Sequence, residues 1–515
     1  VYLKKKLIRH IRRTGKERAM NDRIFYIAAG IMAVLAIIIS GYAKNKRRVR
    51  KLEQELVGQW GRAPEGKYKD TDMKAIAGFF RELSRNSGGD FLVDDITWND
   101  LDMDRIFMRI NNTQSTVGEE ILYSLLRRPV FDGSELMERG RLIEYFRTNP
   151  DECLELRKIL AALGKKRHAQ VYEYFFGEPV TFKYGRYVLQ AAALLFSPLL
   201  MAIDVSFGFA AIVGLFIFNM LVYNKAKSEY EIYLAGLCYL VDMIRCSKKI
   251  AAAEIPGIKD YAARLGDLSG EMRSFSINSF YQLFYQTGDY MVFEPLKSMF
   301  LLELIAFGRL LKTIYAHKQV LREMYETIGY LDSMVSVASY RESLDFWTVP
   351  ELYASDGTKP VSLSFRDACH PLIENAVANS LDTVKPVLIT GSNASGKSTF
   401  LKTAAINAIL AQTIYTCVAR GYRSCYFKVF TSMALKDDIE SNTSYYIAEI
   451  NSLKRILDNL SGPAPLLCVI DEVLRGTNTI ERIAASTEIL RHFAGGNCIL
   501  IAATHDIELA EILKN

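Results

Sequence analysis

The sequence lacks the residue patterns of a disulfide-bonded or metal-clustered protein. Its eight cysteines include no CxxC pair, and several lie in apolar runs, which favours reduced thiols in a cytosolic environment. The six histidines form no cluster with metal-ligand spacing. No internal repeat or low-complexity segment is present either. What remains is a chain of 515 residues, long enough for about two to four domains with substantial cores.

Outside the N-terminal 51 residues, an excess of basic charge is also missing. Residues 1–51 hold 15 Lys and Arg against two acids, a charge of +13, so the other 464 residues together carry −7 of the net +6. The body of the protein therefore lacks the basic footprint typical of proteins that bind nucleic acid. Because the basic tail flanks an apolar stretch, it indicates a membrane before it indicates nucleic acid.

One glycine-rich loop stands between a strand-like and a helix-like pattern. GSNASGKST follows PVLIT and precedes FLKTAAINAIL, as a phosphate-binding P-loop requires. Its glycines let backbone N–H groups approach phosphates at the start of the helix. Lys397 is placed to reach the β- and γ-phosphates, and the Ser398 hydroxyl to ligate Mg²⁺. A chance Gly/Ser-rich turn is the alternative. The predicted ATP-binding residues are Gly391, Ser392, Asn393, Ala394, Ser395, Gly396, Lys397, Ser398 and Thr399.

Two further strand patterns end in residues that phosphoryl transfer requires. LLCVIDE is a buried apolar run that ends in two carboxylates. We predict that Asp471 holds Mg²⁺ with Ser398 and that Glu472 is the catalytic residue that polarises the attacking water. CILIAAT leads to His505, which can hydrogen-bond the γ-phosphate or the water near it. An acidic pair alone is more often the start of a solvated loop, but three such strand ends together predict an ATP-binding α/β domain.

Residues 24–43, IFYIAAGIMAVLAIIISGYA, form a run without a charge. As a helix this run spans roughly 30 Å, the thickness of a bilayer core. It is too long for a cleaved signal peptide, and the basic KNKRRVRK follows it instead of a cleavage site. We predict a retained transmembrane helix, with a buried soluble helix as the alternative. Because a long basic tail outside the cell would break the positive-inside rule, we hypothesise that translation begins at Met20.

A second apolar block covers residues 187–223, with Asp204 as its single charge. It is too long for one span, and we predict two short helices that turn near IDVSFG. A membrane hairpin would return the chain to the side it left, so residues 44–186 and 224–515 would share the cytoplasm, where ATP is. A buried helical hairpin of a soluble domain is the alternative. The predicted location is the cell membrane, multi-pass, with a cytoplasmic ATPase domain.

The rest of the chain reads as helical up to a turn-rich linker at residues 348–360. Apolar residues recur there at helical spacing. The predicted fold is mixed: an α-helical core with transmembrane helices and a C-terminal α/β P-loop NTPase domain. The predicted segments are a basic N-terminus with one span (1–51), a linker (52–99), the first part of the core (100–186), the hairpin (187–223), the second part of the core (224–347) and the ATPase domain (348–515).

Several segments have the form of motifs that occur together in one family. They are the P-loop GSNASGKSTF, DDIESNTSYYIAEI at 437–450, IDEVLRGTNT at 470–479, ATHDIEL after the last strand, the core segment at 100–131 and ACHPLIENAVANSL at 368–381. In these motifs the chain resembles MutS, the DNA mismatch repair protein, over about residues 95–185 and 225–515. The ATPase motifs are highly specific, and the match of the core is less so. The resemblance places the ATPase domain in the ABC/MutS type.

The resemblance implies a homodimer whose ATP sites are shared. Ser444 would reach across the dimer to the γ-phosphate bound by the partner's P-loop, as a third catalytic residue after Glu472 and His505. Without the surrounding motif, a loop or N-cap serine would be the preferred interpretation. Asn442 and Glu449 belong to the same segment. With ATP and Mg²⁺ as cofactors, binding would close the dimer as a clamp and hydrolysis would release it.

The resemblance also implies that Arg475 and Thr477 lie at the dimer seam. The chain departs from the family in four respects. A membrane anchor and a linker stand where the family has its mismatch-reading domain. The intercalating Phe-x-Glu element has one formal match, at residues 176–178, which we interpret as coincidence. The aromatic residue expected to stack on adenine is replaced by Ala376, and the family's dimerisation helices would follow beyond residue 515.

Two functions from different classes fit these observations. The first is a membrane-anchored MutS-like ATPase that couples ATP hydrolysis to DNA binding in repair or recombination. The alternative is an ATP-driven membrane switch or transport-associated ATPase without a DNA role. An ABC-type transporter subunit is a weaker third candidate, because NLSGPA at 459–464 is a poor match to an LSGGQ signature and stands in the wrong place. The resemblance favours DNA as a partner, whereas the charge balance opposes it.

Overall fold

A computed structural model describes residues 46–272, 298–355, 359–392, 395–433, 445–474 and 478–514, apart from 65, 67 and 87, and also the single residues 32, 40, 41, 43, 44 and 296. The chain divides into two compact units, residues 1–58 and residues 59–515. In the first unit, residues 46–58 are helical. The predicted transmembrane helix at 24–43 lies almost entirely outside the described residues.

The second unit begins with a helical region. Its α-helices are α1 (Asp70–Arg85), α2 (Asp95–Asp100), α3 (Met103–Ile110), α4 (Thr116–Arg127), α5 (Gly133–Thr148), α6 (Pro150–Leu163), α7 (Glu173–Phe176), α8 (Gly185–Phe196), α9 (Val205–Ala252), α10 (Lys259–Glu271), α11 (Leu302–Ala316) and α12 (Lys318–Glu342). Short 3₁₀ turns lie at Arg167–Ala169, Ser197–Ala202 and Pro256–Ile258.

Helices α4 and α12 form the centre of this region. The hydroxyl of Ser115 caps α4 by accepting from the Gly118 amide at 3.1 Å. Asp332 of α12 in turn accepts from the Ser115 amide at 2.9 Å, and its burial raises its pKa to about 6. Close approach of the helices requires Gly329, since a Cβ there would lie 2.6 Å from the carbonyl oxygen of Val117. The buried hydrogen bonds between Asp332 and Ser115 therefore fix the register of the two helices.

Helices α8 and α9 form the predicted pair with a turn near IDVSFG. The chain turns at Ile203, and Asp204 then caps α9 by accepting from the Phe207 amide at 2.7 Å. Two segments here are long and apolar enough to cross a membrane, Gly185–Ala202 and Val205–Glu231. Only 17% and 11% of their most apolar windows are buried in the protein. The helical hairpin is present, and its outer surface is apolar.

Helix α9 extends far beyond the predicted end of the hairpin near residue 223. It continues to Ala252, because neither Gly nor Pro interrupts residues 215–235. Its second half is buried in the helical region, with Leu237, Tyr239 and Met243 fully enclosed. The predicted border between hairpin and core therefore falls inside one continuous helix.

The C-terminal part is an α/β domain with two four-stranded sheets. One sheet has the strand order β1-β5-β2-β3 and the other β4-β8-β7-β6, with all strands of the second parallel. The elements are β1 (Glu351–Tyr353), β2 (Leu363–Ala368), β3 (Asn379–Thr383), β4 (Val387–Thr390), α13 (Lys397–Thr413), β5 (Gly421–Cys425), β6 (Lys428–Ser432), α14 (Tyr445–Asn459), β7 (Leu466–Asp471), α15 (Thr479–Ala494), β8 (Cys498–Thr504) and α16 (Ile507–Leu513).

The parallel sheet explains why distant motifs meet. Strands β7 and β8 are buried along their whole length, as central strands covered on both faces are. The carboxyl ends of parallel strands lie at one edge of the sheet, and ligands bind there in such folds. The P-loop follows β4, the acidic pair follows β7 and His505 follows β8. The predicted combination of a helical core with a C-terminal α/β domain is confirmed.

Part of the predicted linker and core belongs structurally to this domain. Residues 94–102 lie against the edge strand β6. The Thr97 hydroxyl accepts from the Thr431 amide at 3.3 Å, and Asp100 accepts from the Thr431 hydroxyl at 2.6 Å and the Met433 amide at 3.1 Å. Burial raises the pKa of Asp100. This segment therefore covers the edge of the parallel sheet and fixes the end of β6.

Candidate nucleotide-binding site

The P-loop joins β4 to α13 in the conformation that its glycines allow. Gly396 is in the left-handed region with φ +88°, which glycine adopts without strain. Lys397 begins α13, and its ammonium donates to the carbonyls of Gly391 at 2.6 Å and Ser392 at 2.9 Å. Its positive charge is therefore held over the loop at the helix N-terminus, where anions bind.

Ser398 and Asp471 meet directly below the loop. The serine hydroxyl donates to a carboxylate oxygen of Asp471 at 2.5 Å, and Asp471 is buried at the end of β7. Hydroxyl and carboxylate oxygens are ligands that Mg²⁺ prefers, and Mg²⁺ at phosphate sites takes only one or two protein ligands. Two adjacent hard oxygen donors beside a phosphate-binding loop fit this ion. Elsewhere in the described part of the chain, no group of three or more His, Cys, Asp or Glu residues could hold a metal.

Glu472 and His505 form the second contact at this edge. Nδ1 of His505 lies 3.1 Å from Oε1 of Glu472, and the Glu472 amide donates to the carbonyl of Ala503 at 2.9 Å. A carboxylate accepts hydrogen bonds, so Nδ1 is placed to donate to Glu472 when it carries a proton. Glu472 has φ +61°, a conformation that costs a non-glycine residue free energy. The hydrogen bond from the Glu472 amide to Ala503 holds the residue in this conformation.

Glu449 has a role that sequence reasoning missed. It lies on α14, and its buried carboxylate accepts from the Leu474 amide at 2.6 Å. The resemblance linked its segment to the partner protomer, whereas this contact is made within the chain. It anchors the turn that carries Glu472. A glutamate five residues after Ser444 is the only sequence signal, and it does not say which turn the carboxylate contacts.

Several predicted residues lie outside the described residues, so their positions are not assigned. These are Asn393 and Ala394 of the P-loop, Asn442 and Ser444 of the segment before α14, and Arg475 and Thr477 after β7. The structure thus brings together Gly391, Ser392, Ser395, Gly396, Lys397, Ser398 and Thr399 with Asp471, Glu472 and His505.

Two buried arginines hold the far end of the P-loop helix. Arg139 of α5 donates to the carbonyl of Thr413, and Arg341 of α12 donates to the carbonyl of Tyr415 at 2.8 Å and the hydroxyl of Thr416 at 2.9 Å. Positive charge is favourable at a helix C-terminus. Burial lowers the pKa of Arg341 to about 10, so it stays charged at neutral pH. The helical region thus holds the C-terminal end of α13, and the P-loop lies at the other end of this helix.

The basic segment KKRH, residues 165–168, does not form a free phosphate-binding patch. Lys165 and Arg167 pair with the buried carboxylate of Glu119, each at 2.8 Å. Lys166 pairs with Asp242 at 3.0 Å. These cations neutralise acidic groups of the helical region, so the segment supplies little charge to nucleic acid.

The formal Phe-x-Glu match is part of the core. Phe176 packs edge-on against Phe79 with ring centroids 5.6 Å apart, and the guanidinium of Arg322 lies 4.8 Å from its ring centroid. A ring held in this way is not free to insert between bases. Ala376 lies in the connection between β2 and β3, where its carbonyl accepts from the Cys369 thiol at 3.6 Å.

Comparison with known proteins agrees with the geometry. Residues 387–515 match MutS domain V. The chain is 31% identical over 229 residues to MutS protein homolog 4 of Mus musculus, covering 42% of this chain and 23% of that protein. It is 29% identical over 222 residues to the DNA mismatch repair protein MutS of Thermotoga maritima, covering 42% of this chain and 27% of that protein. The chain thus spans about a quarter of the length of these curated relatives.

Proposed function

We propose that the chain is a MutS-family ATPase whose C-terminal domain, which matches MutS domain V, binds and hydrolyses ATP. One observation carries the proposal. The P-loop, the Ser398–Asp471 bond and the Glu472–His505 contact converge at one edge of the parallel sheet. These groups together supply what phosphoryl transfer needs: phosphate binding, ligands for a metal ion and a base.

Each group has a distinct part in the reaction. The loop amides, the α13 N-terminus and Lys397 bind the phosphates. Glu472 accepts a proton from the attacking water, whose oxygen bonds to the γ-phosphorus while the bond to the β–γ bridging oxygen breaks. ADP and inorganic phosphate are the products. The Nδ1–H of His505 orients the Glu472 carboxylate, and the unprotonated Nε2 can accept a hydrogen bond from the attacking water.

Ser398 and Asp471 would hold Mg²⁺. When bound, this ion neutralises the charge that builds up on the phosphate oxygens.

We further propose that the site is completed by a second copy of the chain. The support is the similarity of residues 437–450 to the trans-acting segment of the family, in which Ser444 faces the partner's γ-phosphate. On this basis the protein works as a homodimer whose two protomers close around two nucleotides. Binding of ATP would stabilise the closed state, and hydrolysis would remove that stabilisation.

Coupling to DNA is the function that the family suggests. The relative from Thermotoga maritima is named as a DNA mismatch repair protein. The arginine contacts at the end of α13 offer a path from nucleotide to helical region. We therefore propose a MutS-like ATPase that handles DNA in repair or recombination. The acidic body and the ion-paired KKRH segment point to weak, non-mismatch-specific binding.

The test is the ATPase rate of the full chain alone and with duplex, mismatched or branched DNA. We expect at least one DNA to change the rate, with a dependence on salt concentration because phosphate contacts dominate such binding. A rate that none of the three DNAs changes would remove the DNA role and favour the alternative, an ATP-driven membrane switch.

We propose that α8 and the first half of α9 cross the cell membrane as a hairpin, with the ATPase domain in the cytoplasm. Their side chains are exposed and apolar, with Ile203 at 82% and Phe207 at 61% exposure. Basic residues flank the base of the hairpin, among them Arg186 and Lys225, whereas its tip carries Asp204. This asymmetry satisfies the positive-inside rule with both ends in the cytoplasm.

Thiol labelling of intact cells tests this topology. Cysteine introduced by Ile203→Cys at the hairpin tip should react with a membrane-impermeant maleimide added outside. Ile480→Cys on α15 is the control, because Ile480 is similarly exposed, at 78%, but should react only after lysis. Labelling of both positions only after lysis would contradict the hairpin topology.

The alternative function, a membrane switch, has one structural observation in its favour. Helix α9 passes without a break from the apolar hairpin into the helical region that grips the P-loop helix. A rigid helix of 48 residues spans about 72 Å. It could therefore carry a nucleotide-dependent movement to the membrane.

A further inference from the structure

A salt bridge next to the candidate site joins Arg482, which lies outside the motifs, to Asp506 of the ATHDIEL segment. Arg482 lies in the second turn of α15, and Asp506 follows His505. The guanidinium binds both carboxylate oxygens of Asp506, with Nε 3.0 Å from Oδ2 and Nη2 2.7 Å from Oδ1. The two side chains are only 14% and 11% exposed. A paired, two-pronged contact of this kind restricts both partners more than a surface ion pair does.

The position of Asp506 gives the pair its significance. Its carboxylate Oδ1 lies 3.7 Å from Nε2 of His505, whose other ring nitrogen contacts Glu472. The Asp506 amide donates to the hydroxyl of Thr504 at 3.0 Å. The backbone on both sides of His505 is thus held, and the histidine ring lies between two carboxylates.

The side chain of Asp506 does not cap the helix that it precedes. It occupies the N-cap position of α16, where aspartate usually accepts from a helix amide, yet its side chain makes no capping hydrogen bond. The carboxylate is directed to Arg482 instead. Without that guanidinium, a second negative charge would stand beside the groups that meet an anionic triphosphate, and it would attract the His505 ring away from Glu472.

We propose that Arg482 and Asp506 are positioning residues that hold His505 in contact with Glu472 for ATP hydrolysis. This inference rests on the proposed ATPase function. The guanidinium neutralises Asp506 and fixes the backbone of the histidine, so the imidazole keeps its bond to the base. Neither residue belongs to the P-loop. The pair therefore acts on the hydrolysis step and leaves nucleotide binding unchanged.

The experiment measures three quantities on the full chain: the Kd for ATP, the kcat of hydrolysis and the melting temperature. Arg482→Ala and Asp506→Asn should each lower kcat about 10- to 100-fold, the range expected when a supporting partner of a catalytic group is lost. The Kd and the melting temperature should stay near those of the wild type. Arg482→Lys, which keeps the charge without the two-pronged geometry, should fall between the wild type and Arg482→Ala.

The matched control is Arg491→Ala on the same helix. Arg491 pairs with Glu488 at 3.1 Å on an exposed surface, so its loss should leave kcat unchanged. If the wild type does not hydrolyse ATP, the proposed function fails. If the wild type is active but Arg482→Ala keeps a normal kcat, or loses ATP affinity and melting temperature in step with kcat, the positioning role is overturned.

Discussion

Glu472 stands at the end of a buried strand in a conformation that its own backbone disfavours. Its amide pairs with β8 and its carboxylate meets His505, so the strain is offset by contacts that aim the side chain. In the proposed mechanism this carboxylate acts on the attacking water, whereas the loop and Lys397 bind the phosphates. The residue therefore separates hydrolysis from binding.

Glu472→Gln should keep ATP binding and lose hydrolysis. The amide preserves the shape and removes the base, so the rate should fall by about 10³-fold. Lys397→Ala should instead abolish binding, because the charge over the loop is lost. Equilibrium binding of ATP and single-turnover hydrolysis distinguish the two variants. Normal hydrolysis by Glu472→Gln would show that another residue is the base.

A second residue-scale prediction concerns a buried carboxyl in the helical region. Glu120 accepts from the hydroxyl of Tyr325, and burial, with the charge of Glu119, raises its pKa from 4.5 to about 8. Tyr239 is also close. Because the folded state binds this proton more tightly than the unfolded state, the stabilising contribution is complete below pH 4.5. It is lost as the pH rises through 8.

Glu120→Gln removes this titration. The variant should be more stable than the wild type at pH 8 by a few kcal/mol, and similar to it at pH 5. Thermal unfolding of both proteins at the two pH values measures the difference. An equal difference at both pH values would mean that Glu120 does not titrate in this range.

At the scale of single residues, the spacing of the motifs predicted a strand that ends at Asp471 close to Ser398, and the structure has both features. Such spacing follows from the backbone that a phosphate-binding loop requires, so the sequence alone indicates that Ser398 and Asp471 lie close together. Glu449 and Arg482 were not predictable in the same way. Their partners lie 25 and 24 residues away in sequence, and only the fold shows which turn each side chain reaches.

At the scale of elements, α14 connects the predicted trans-acting segment to the catalytic turn. Its Glu449 holds the Leu474 amide, and Arg455 further along the helix binds Asp94 and the carbonyl of Thr431. A movement at the start of α14 would therefore reach Glu472 through the Glu449 carboxylate. In the proposed dimer, contact with a partner's nucleotide would be linked to the position of the base through this one helix.

Glu449→Ala should lower the kcat of ATP hydrolysis about 10-fold or more, because the turn of Glu472 loses its anchor and a buried amide loses its acceptor. Glu449→Gln retains an acceptor oxygen and should be close to the wild type. Asp458→Ala, at an exposed position of the same helix, is the control. Steady-state kinetics on the three variants measure kcat. An equal loss of kcat in the Ala and Gln variants would contradict the anchoring role.

Helix α9 shows that hydropathy predicts where an apolar segment lies but not where its helix ends. Apolar composition correctly located the two hairpin helices and their turn at Asp204. It did not locate the end of the second helix, because a helix can pass from an apolar surface into a protein core without any change in backbone. Lys225 and Glu231 mark where the exposed apolar face ends, while the helix itself continues to Ala252.

At the scale of the whole molecule, three properties are combined in one chain. A C-terminal domain that matches MutS domain V over residues 387–515 is held by a helical region, and that region shares a continuous helix with an apolar hairpin. The architecture was predictable in outline from motifs and hydropathy. The attachment of residues 94–102 to the parallel sheet was not, since those contacts bridge more than 300 positions of sequence.

The proposal that two protomers share each ATP site makes a prediction for mixtures. Ser444→Ala should bind ATP and hydrolyse it poorly, because its hydroxyl would meet the γ-phosphate only in the closed dimer. Lys397→Ala should be inactive because it does not bind ATP. A mixed dimer then contains one site with an intact P-loop and an intact partner serine, and another site that lacks both.

The decisive measurement is the ATPase rate of a subunit-exchanged mixture of Lys397→Ala and Ser444→Ala proteins, compared with each alone. A clamp with shared sites predicts that the mixture recovers part of the wild-type rate while both parents stay inactive. A mixture that exchanges subunits and remains inactive would show that Ser444 acts within its own chain or not on the nucleotide, and the shared-site clamp would be wrong.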